Sequence, residues 1–297
     1  MLFNPYDLLP PMGWLVLSIL TTAAWSLLVR VLNKDEKDYL ASLALTEGAT
    51  VAFLLLLILT FGFDFATEGK PPIGEIPQLN WILMALAGVF YAVFIYFTFK
   101  GSQTVEGSIR PILGQTEIIW GMLLAFLFLS EVITGQKIFA GLLILAGSVI
   151  CIYRPGGKFK LAGVGLILFA ALFVASGHVI DRVNSQLFPP LIYAIPLFII
   201  PTIIFFAMMG KKAFERTGKV FEKRPWVSLL LSAFAAVSHV FLLLSLAKIE
   251  ASVVIPLFNT FVIVAALGGI IFLKERKGWV QKIVGALLAF IGAAIIS

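Results

Sequence analysis

The chain has 297 residues, 60% of them apolar and only 13% charged, with a formal net charge of +6 and a mean hydropathy of +1.03. Soluble domains carry about 45–50% apolar and about 25% charged residues, so a soluble globular fold, a disordered chain, collagen and a coiled coil are excluded, and lipid is the expected solvent. One cysteine, Cys151, and two histidines exclude a disulfide framework and a structural zinc site. No domain-sized polar stretch could carry a basic face for nucleic acid, so the positive charge belongs beside lipid headgroups.

Crossing about 30 Å of hydrocarbon takes roughly 20 apolar residues in a helix. Ten segments qualify, near residues 12–32, 39–62, 80–100, 106–130, 136–153, 161–184, 190–210, 226–247, 251–273 and 279–296. The first ten residues, MLFNPYDLLP, have neither a positive n-region nor a small-residue cleavage site, so the run from Met12 reads as a retained span. Most breaks are short, such as 130–134 and 274–278, so consecutive spans run antiparallel; the breaks at 63–79 and 211–225 are longer. The apolar runs are continuous and do not alternate, which selects helices over a barrel.

Residues 106–150 overlay residues 250–294 without a gap. Glu106 meets Glu250, Ser108 meets Ser252, Gln115 meets Asn259, Thr116 meets Thr260, Glu131 meets Glu275 and Gly141 meets Gly285. A shared apolar background would not align acids. Upstream, Gly13, Arg30 and Val31 fall on Gly165, Arg182 and Val183. The chain therefore reads as two five-helix halves, 1–153 and 154–297. An odd number of spans per half inserts the second half upside down, giving an all-α polytopic membrane protein of ten helices in two inverted repeats. That arrangement is suited to alternating access around a midplane site.

The pattern Phe128-Leu129-Ser130-Glu131, followed by Thr134, Gln136, Gly141 and Leu143-Ile144-Leu145-Ala146-Gly147, resembles the end of an EamA-type repeat of the drug/metabolite transporter superfamily. The second half carries it again as Phe272-Leu273-Lys274-Glu275-Arg276, Gln281, Gly285-Ala286-Leu287-Leu288 and Gly292. Trp25-Ser26 with Arg30 is similar to the family's opening helix. The resemblance covers nearly the whole chain and implies a ten-helix secondary transporter with a central cavity and both termini in the cytoplasm. The chain departs from the family at Glu47, where members often have a basic residue.

Charge argues orientation separately. Only Lys70, Lys137, Arg182 and Lys248 fall on the side of the termini, and the other Lys and Arg residues fall on the opposite side. By the positive-inside rule this places both termini outside, against the resemblance. Cys151 then lies near the cytoplasmic surface, where a membrane-impermeant thiol reagent would not reach it.

Ionisable residues within spans are costly in hydrocarbon unless they face a cavity or a partner, so they are the leading site candidates. In span 4, Arg110, Gly114, Glu117 and Gly121 recur on one helical face, with Glu117 about 10 Å beyond Arg110. Glu47 in span 2 is placed to share their layer, either paired with Arg110 or close enough to Glu117 for the two acids to hold a proton or a cation. His178, Asp181 and Arg182 form either a gate or a local ion-paired cluster at the end of span 6. His239 shares a face with Ser232 and Ser228 in span 8. Trp120 stands one turn from Glu117, and an acid beside an indole suits an ammonium group. Trp25 and Tyr91 are further aromatic candidates. Pro111 and Pro256 occupy corresponding early positions in spans 4 and 9, where each can kink a helix and free carbonyls, followed by Gln115 and Asn259.

These readings converge on a secondary transporter, not an enzyme, in the plasma membrane of a bacterium or archaeon. It is expected to move a small polar or amphipathic metabolite, with an organic amine or amino-acid-like solute favoured. Glu117, Trp120, Glu47, Trp25, Tyr91, Gln115, Asn259 and His239 would bind the solute. Arg110, His178, Asp181, Arg182, Pro111 and Pro256 would gate or couple, and a proton on Glu117 or Glu47 would link movement to the pH gradient. Expected partners are the solute, membrane lipids and the coupling proton, with no nucleic acid, cofactor or metal, in a monomer or homodimer. A lipid scramblase or flippase using the same groove is the alternative. No Gly-x-Ser-x-Gly elbow, His-Glu-x-x-His motif or phosphate loop points to an enzyme.

Overall fold

The computed structural model describes residues 9–32, 38–61, 70–102, 105, 110–153, 160–272 and 278–296, without the side chains of 30–32, 61, 102, 110 and 111. Among these, ten stretches are long and apolar enough to cross a membrane. They are Pro11–Leu32, Tyr39–Phe61, Gln78–Ser102, a fourth in two pieces (Arg110–Gly114 and Glu117–Leu129), Gly135–Ile152, Leu161–Asn184, Pro190–Met209, Pro225–Leu246, a ninth in two pieces (Ala251–Phe258 and Phe261–Phe272), and Trp279–Ile296. The protein is an all-α, multi-pass membrane protein. Spans 7 and 8 each open with proline at the first helical position, where the missing amide would have no partner in any case.

Between spans 7 and 8, where the sequence suggested only a longer break, lies a further short helix, Ala213–Lys223. It buries Ala213, Thr217 and Val220 and exposes Glu215, Lys219 and Lys223. Its packing partners include span 2. The Arg216 guanidinium grips the Asp38 carboxylate with two bonds of 2.7 and 2.6 Å. That pairing holds the Asp38 carboxyl below its ordinary range. Stability from a lowered carboxyl is complete at neutral pH and is lost as pH falls through the folded-state value. For a pair about one-third exposed it amounts to at most ~1 kcal/mol.

The helices gather into two compact units, Met1–Ala92 with Ile180–Lys248, and Val93–Val179 with Ile249–Ser297. Their boundaries differ from those of the sequence halves. The first unit holds spans 1, 2, 7 and 8, the second holds spans 4, 5, 9 and 10, and spans 3 and 6 contribute to each.

In the first unit span 1 lies along span 8, and span 2 lies along spans 7 and 8. Small hydroxyls join them. Ser18 Oγ donates to the Ser238 carbonyl at 2.8 Å, and Thr50 Oγ1 and Ser232 Oγ donate to each other's helices at 3.4 Å. Between helices in lipid, where burial supplies little drive for association, such bonds and close packing hold the seam.

In the second unit span 5 packs along span 10 at backbone distance. A Cβ added to Gly147 would stand 2.5 Å from the Gly285 carbonyl oxygen, and one on Gly285 would stand 2.5 Å from the Cys151 amide nitrogen. Cys151, Ile263, Ala266, Ala286 and Ala289 form a buried cluster beside this contact. With Cys151 only 3% exposed, its thiol is unsuited to reporting membrane sidedness.

Gly147→Ala should therefore lower stability by ~1–3 kcal/mol through overpacking. Gly218→Ala, in the short helix with nothing within 4 Å of its would-be Cβ, should raise stability by up to ~1 kcal/mol. Thermal melting in detergent compares the two, and equal effects would refute the close seam. Orientation is testable in a Cys151→Ser background with Lys219→Cys, whose native side chain is 66% exposed. The charge count expects no reaction with an impermeant thiol reagent in intact cells, and labelling there would reverse the orientation.

Candidate functional site

Spans 4 and 9 are interrupted at matching positions. The first breaks at Gln115-Thr116 and the ninth at Asn259-Thr260. Sequence reading placed the kinks at Pro111 and Pro256, but the interruptions fall three to four residues later. There the backbone tightens into short turns, with Gln115 N–H bonded to the Ile112 carbonyl and Thr260 N–H to the Leu257 carbonyl. The two threonine hydroxyls bond the carbonyls three residues back, Leu113 and Leu257, each at 2.7 Å. Pro256 is buried and has no amide to offer the Ser252 carbonyl one turn earlier. The Pro111 and Arg110 side chains lie outside the described residues.

The two interruptions meet. Gln115 Nε2 donates to Asn259 Oδ1 at 3.4 Å, and Asn259 Nδ2 donates to the Ile255 carbonyl at 3.0 Å. Gln115 is 2% exposed, yet its Oε1 has no donor among the described residues. An orphaned amide oxygen in an apolar interior costs free energy, on the order of 1–3 kcal/mol, and is a ready acceptor for a hydroxyl or amine.

One residue past the first break stands Glu117, 7% exposed. Its Oε1 lies 2.8 Å from His178 Nδ1 of span 6, and the imidazole stands edge-on to Phe258 at 5.6 Å. Sequence reading put Arg110 on the same helical face as Glu117, and the structure brings His178 of span 6 to this acid. Trp120, one turn on, is partly buried.

The second unit also carries a latch that spacing alone did not reveal. Ser130 ends span 4 in the left-handed region, φ 55°, and turns the chain so that the Glu131 carboxylate accepts from the Ala251 and Ser252 amides, both at 2.8 Å. These are the free N–H groups that open the short helix Ala251–Phe258. Lys137 Nζ bonds the Val132 carbonyl at 2.9 Å and Ser252 Oγ at 3.1 Å, and pairs with Glu250. The coincidence of Glu131 with Glu275 in the repeat was the sequence signal for this acid.

In the first unit the centre is Asp181, fully buried on span 6. Tyr91 Oη donates to its Oδ2 at 2.5 Å, Tyr193 Oη donates to its Oδ1 at 2.9 Å, and His239 Nε2 stands 3.6 Å from Oδ2. Asn184 reaches Tyr193 Oη at 3.4 Å and is joined to Asn80 at 2.8 Å. Arg182 Nη1 donates to the Leu246 carbonyl at 2.5 Å. Sequence reading took His178, Asp181 and Arg182 as a gate or a local ion-paired cluster; His178 stands at Glu117, Asp181 at the two tyrosines and Arg182 at the Leu246 carbonyl. Tyr193 and Asn184 were missed, because a tyrosine near a span end reads as an interfacial anchor. His239 joins this centre, while Ser232 and Ser228 serve the span 2–span 8 seam and the helix backbone.

Glu47 is 8% exposed, with no hydrogen bond or ion pair to another described residue. Trp25 Nε1 is likewise buried without an acceptor among the described residues. Both belong to the first unit. Among the described residues no group of three or more metal-binding side chains occurs.

The sequence profile of the EamA-like transporter family matches residues 10–153 and again 161–297. A Listeria monocytogenes protein bearing the name "Putative sugar uptake protein" is 24% identical over 234 residues, covering 75% of this chain and 81% of the relative. A Listeria innocua protein of the same description matches equally. A solved crystal structure aligns with 96% of this chain and 95% of its own at a TM-score of 0.73 and 14% identity, and so shares the fold.

The Glu131 latch is testable by itself. Glu131→Ala leaves two buried amides uncapped and should cost ~1–2 kcal/mol, with Glu131→Gln, which keeps one acceptor, intermediate. Melting temperatures in that order support the capping role, and three equal values would refute it.

Proposed function

The chain belongs to the EamA-like transporter family and is a membrane transporter of small molecules, and from that premise we propose a secondary transporter that works by alternating access. Its halves, 1–153 and 154–297, are inverted repeats in the plasma membrane of a bacterium or archaeon, and a proton gradient drives the solute. The observation that carries this reading is the matched interruption of spans 4 and 9, 144 residues apart, with an orphaned amide oxygen at their junction. Broken helices at membrane depth are tolerated where protein covers them or a wet cavity receives their polar groups, and transporters use such breaks to hold solutes.

In the second unit we assign solute contact to Glu117, Trp120, Gln115 and Asn259, and in the first unit to Trp25, Glu47, Tyr91 and His239. Arg110, Pro111, His178, Asp181, Arg182 and Pro256 serve gating or coupling. Glu117 beside Trp120 suits an ammonium group, so the favoured solute is an amine or amino-acid-like metabolite. A hydroxyl-rich solute is the second reading. Two observations favour it: the names of the Listeria relatives, and the His178 ring on Glu117, which takes up one oxygen of the carboxylate an ammonium would need. The Gln115 oxygen and the Trp25 indole N–H are an acceptor and a donor of the kind that sugars match.

A thermal-shift panel of amines, amino acids, sugars and nucleosides on purified protein separates the two readings, since a ligand at one hundred times its Kd adds about 2.7 kcal/mol. Stabilisation by amines alone supports the first, and by sugars alone the second. Uptake of the stabilising compound into proteoliposomes under an imposed pH gradient then tests coupling. Glu117→Gln should abolish the pH-dependent component, and unchanged uptake would remove Glu117 from the mechanism.

A further inference from the structure

We propose that the segment joining spans 7 and 8 is a docking surface for anionic phospholipid headgroups. Lys211 and Lys212 bind the lipid phosphate, and Phe214 and Trp226 anchor the segment at the edge of the acyl region. The inference does not depend on which solute the protein carries or on what drives it.

The chain itself fixes the depth of this segment. Span 7 ends at Met209, and Gly210 turns the chain in the left-handed region, φ 63°, into one tight turn, Gly210–Lys212. The helix Ala213–Lys223 follows at once, and a single residue, Arg224, separates it from Pro225 at the start of span 8. Connections this short cannot lift the helix away from the ends of the two spans. It therefore lies at the membrane surface.

At about 100° per residue the helix divides into three faces. Ala213, Thr217 and Val220 turn into the protein, against span 2 among others. Phe214 and Phe221 share a second edge, where Phe214 is 81% exposed and meets Phe206 of span 7 edge-on at 5.1 Å. Lys212, Glu215, Lys219 and Lys223 share the third, and all four are exposed. A helix with an apolar edge and a charged face lies in the plane of the interface, with its rings toward the acyl chains. Span 8 marks the same level. Trp226, Leu229 and Leu230 form an exposed stripe along it, so Trp226, 77% exposed, stands where hydrocarbon gives way to headgroups.

Charge then selects the lipid. Residues 211–224 carry Lys211, Lys212, Arg216, Lys219, Lys223 and Arg224 against Glu215 and Glu222. Two of the cations answer acids, since Lys219 pairs with Glu215 and Arg216 holds Asp38. A positive surplus remains after those pairs, and Lys211 and Lys212 stand exposed in the turn ahead of the helix. A phosphatidylcholine headgroup brings its own cation to its phosphate, whereas phosphatidylglycerol brings none, so the anionic lipid is the complement. The Asp38 carboxylate also accepts from the Ala41 amide at 3.2 Å. A lipid held by this helix is thus tied, through one ion pair, to the start of span 2.

The experiment uses the full chain in neutral-detergent micelles doped with phosphatidylglycerol or with phosphatidylcholine, and follows melting temperature against the mole fraction of added lipid. Phosphatidylglycerol should raise it well above the phosphatidylcholine control. Each lysine near an anionic surface strengthens attachment roughly fivefold, so Lys211→Gln with Lys212→Gln should raise the half-saturating fraction at least about tenfold. Both side chains are exposed, so the double variant keeps its packing. Lys100→Gln with Lys160→Gln, an equal loss of charge elsewhere, should leave the midpoint where it was. Equal stabilisation by the two lipids overturns the proposal, and so does an equal shift in the two double variants, because any cation would then serve. Stabilisation by glycerol phosphate without lipid also overturns it, because a free phosphate would then be the ligand.

Discussion

A polar group left bare in hydrocarbon costs several kcal/mol, which drives each one toward a partner inside the protein. The rest of the structure follows from that constraint. Hydroxyls within the spans bond back to their own helix, Thr46 to the Ser42 carbonyl, Thr50 to Thr46 and Ser176 to Leu172, at 2.7 to 3.0 Å. Where spans 4 and 9 give up regular helix, Thr116 and Thr260 bond carbonyls of the turns at the interruptions. The opening amides of Ala251–Phe258 would be costly in any interior, and Glu131 takes two of them. Interruptions in apolar surroundings thus persist because specific side chains complete their hydrogen bonding.

The same constraint decides what could be read from sequence. Span limits came out within a few residues because apolar run length against membrane thickness is a one-dimensional property, and Leu161–Asn184 and Trp279–Ile296 coincide with the sequence ranges. The helix at 213–223 was harder to see. It is amphipathic and polar on balance, and length against hydropathy registers only the apolar neighbours on either side. Prolines pointed to the interruptions in spans 4 and 9, but the position was set by where a threonine could cover the tightened turn.

Partners were the least legible part. Spacing put Arg110 and Glu117 on one face of span 4, but spacing along a helix knows only its own three or four neighbours. His178, which stands against Glu117, is 61 residues away and was fixed by which helices pack together. Asp181 shows the same limit. Its tyrosines come 90 residues before it and 12 residues after it, on two other helices. Gln115 and Asn259 were the exception, since the repeat itself pointed to both residues before packing joined them.

The use of histidine makes a further physical point. The chain has two histidines in 297 residues, and both stand against buried acids, His178 at Glu117 and His239 at Asp181. A lysine or arginine there would make a permanent ion pair, whose loss of hydration charge attraction repays only with excellent geometry. An imidazole beside a carboxyl has a second option, because one proton distributed between them gives either an ion pair or two neutral groups. Neither arrangement places net charge in hydrocarbon, and a proton that leaves or enters changes the charge by one at a site where partners are already in position. Glu47 lacks such a companion among the described residues, and that difference sets it apart from the other two acids.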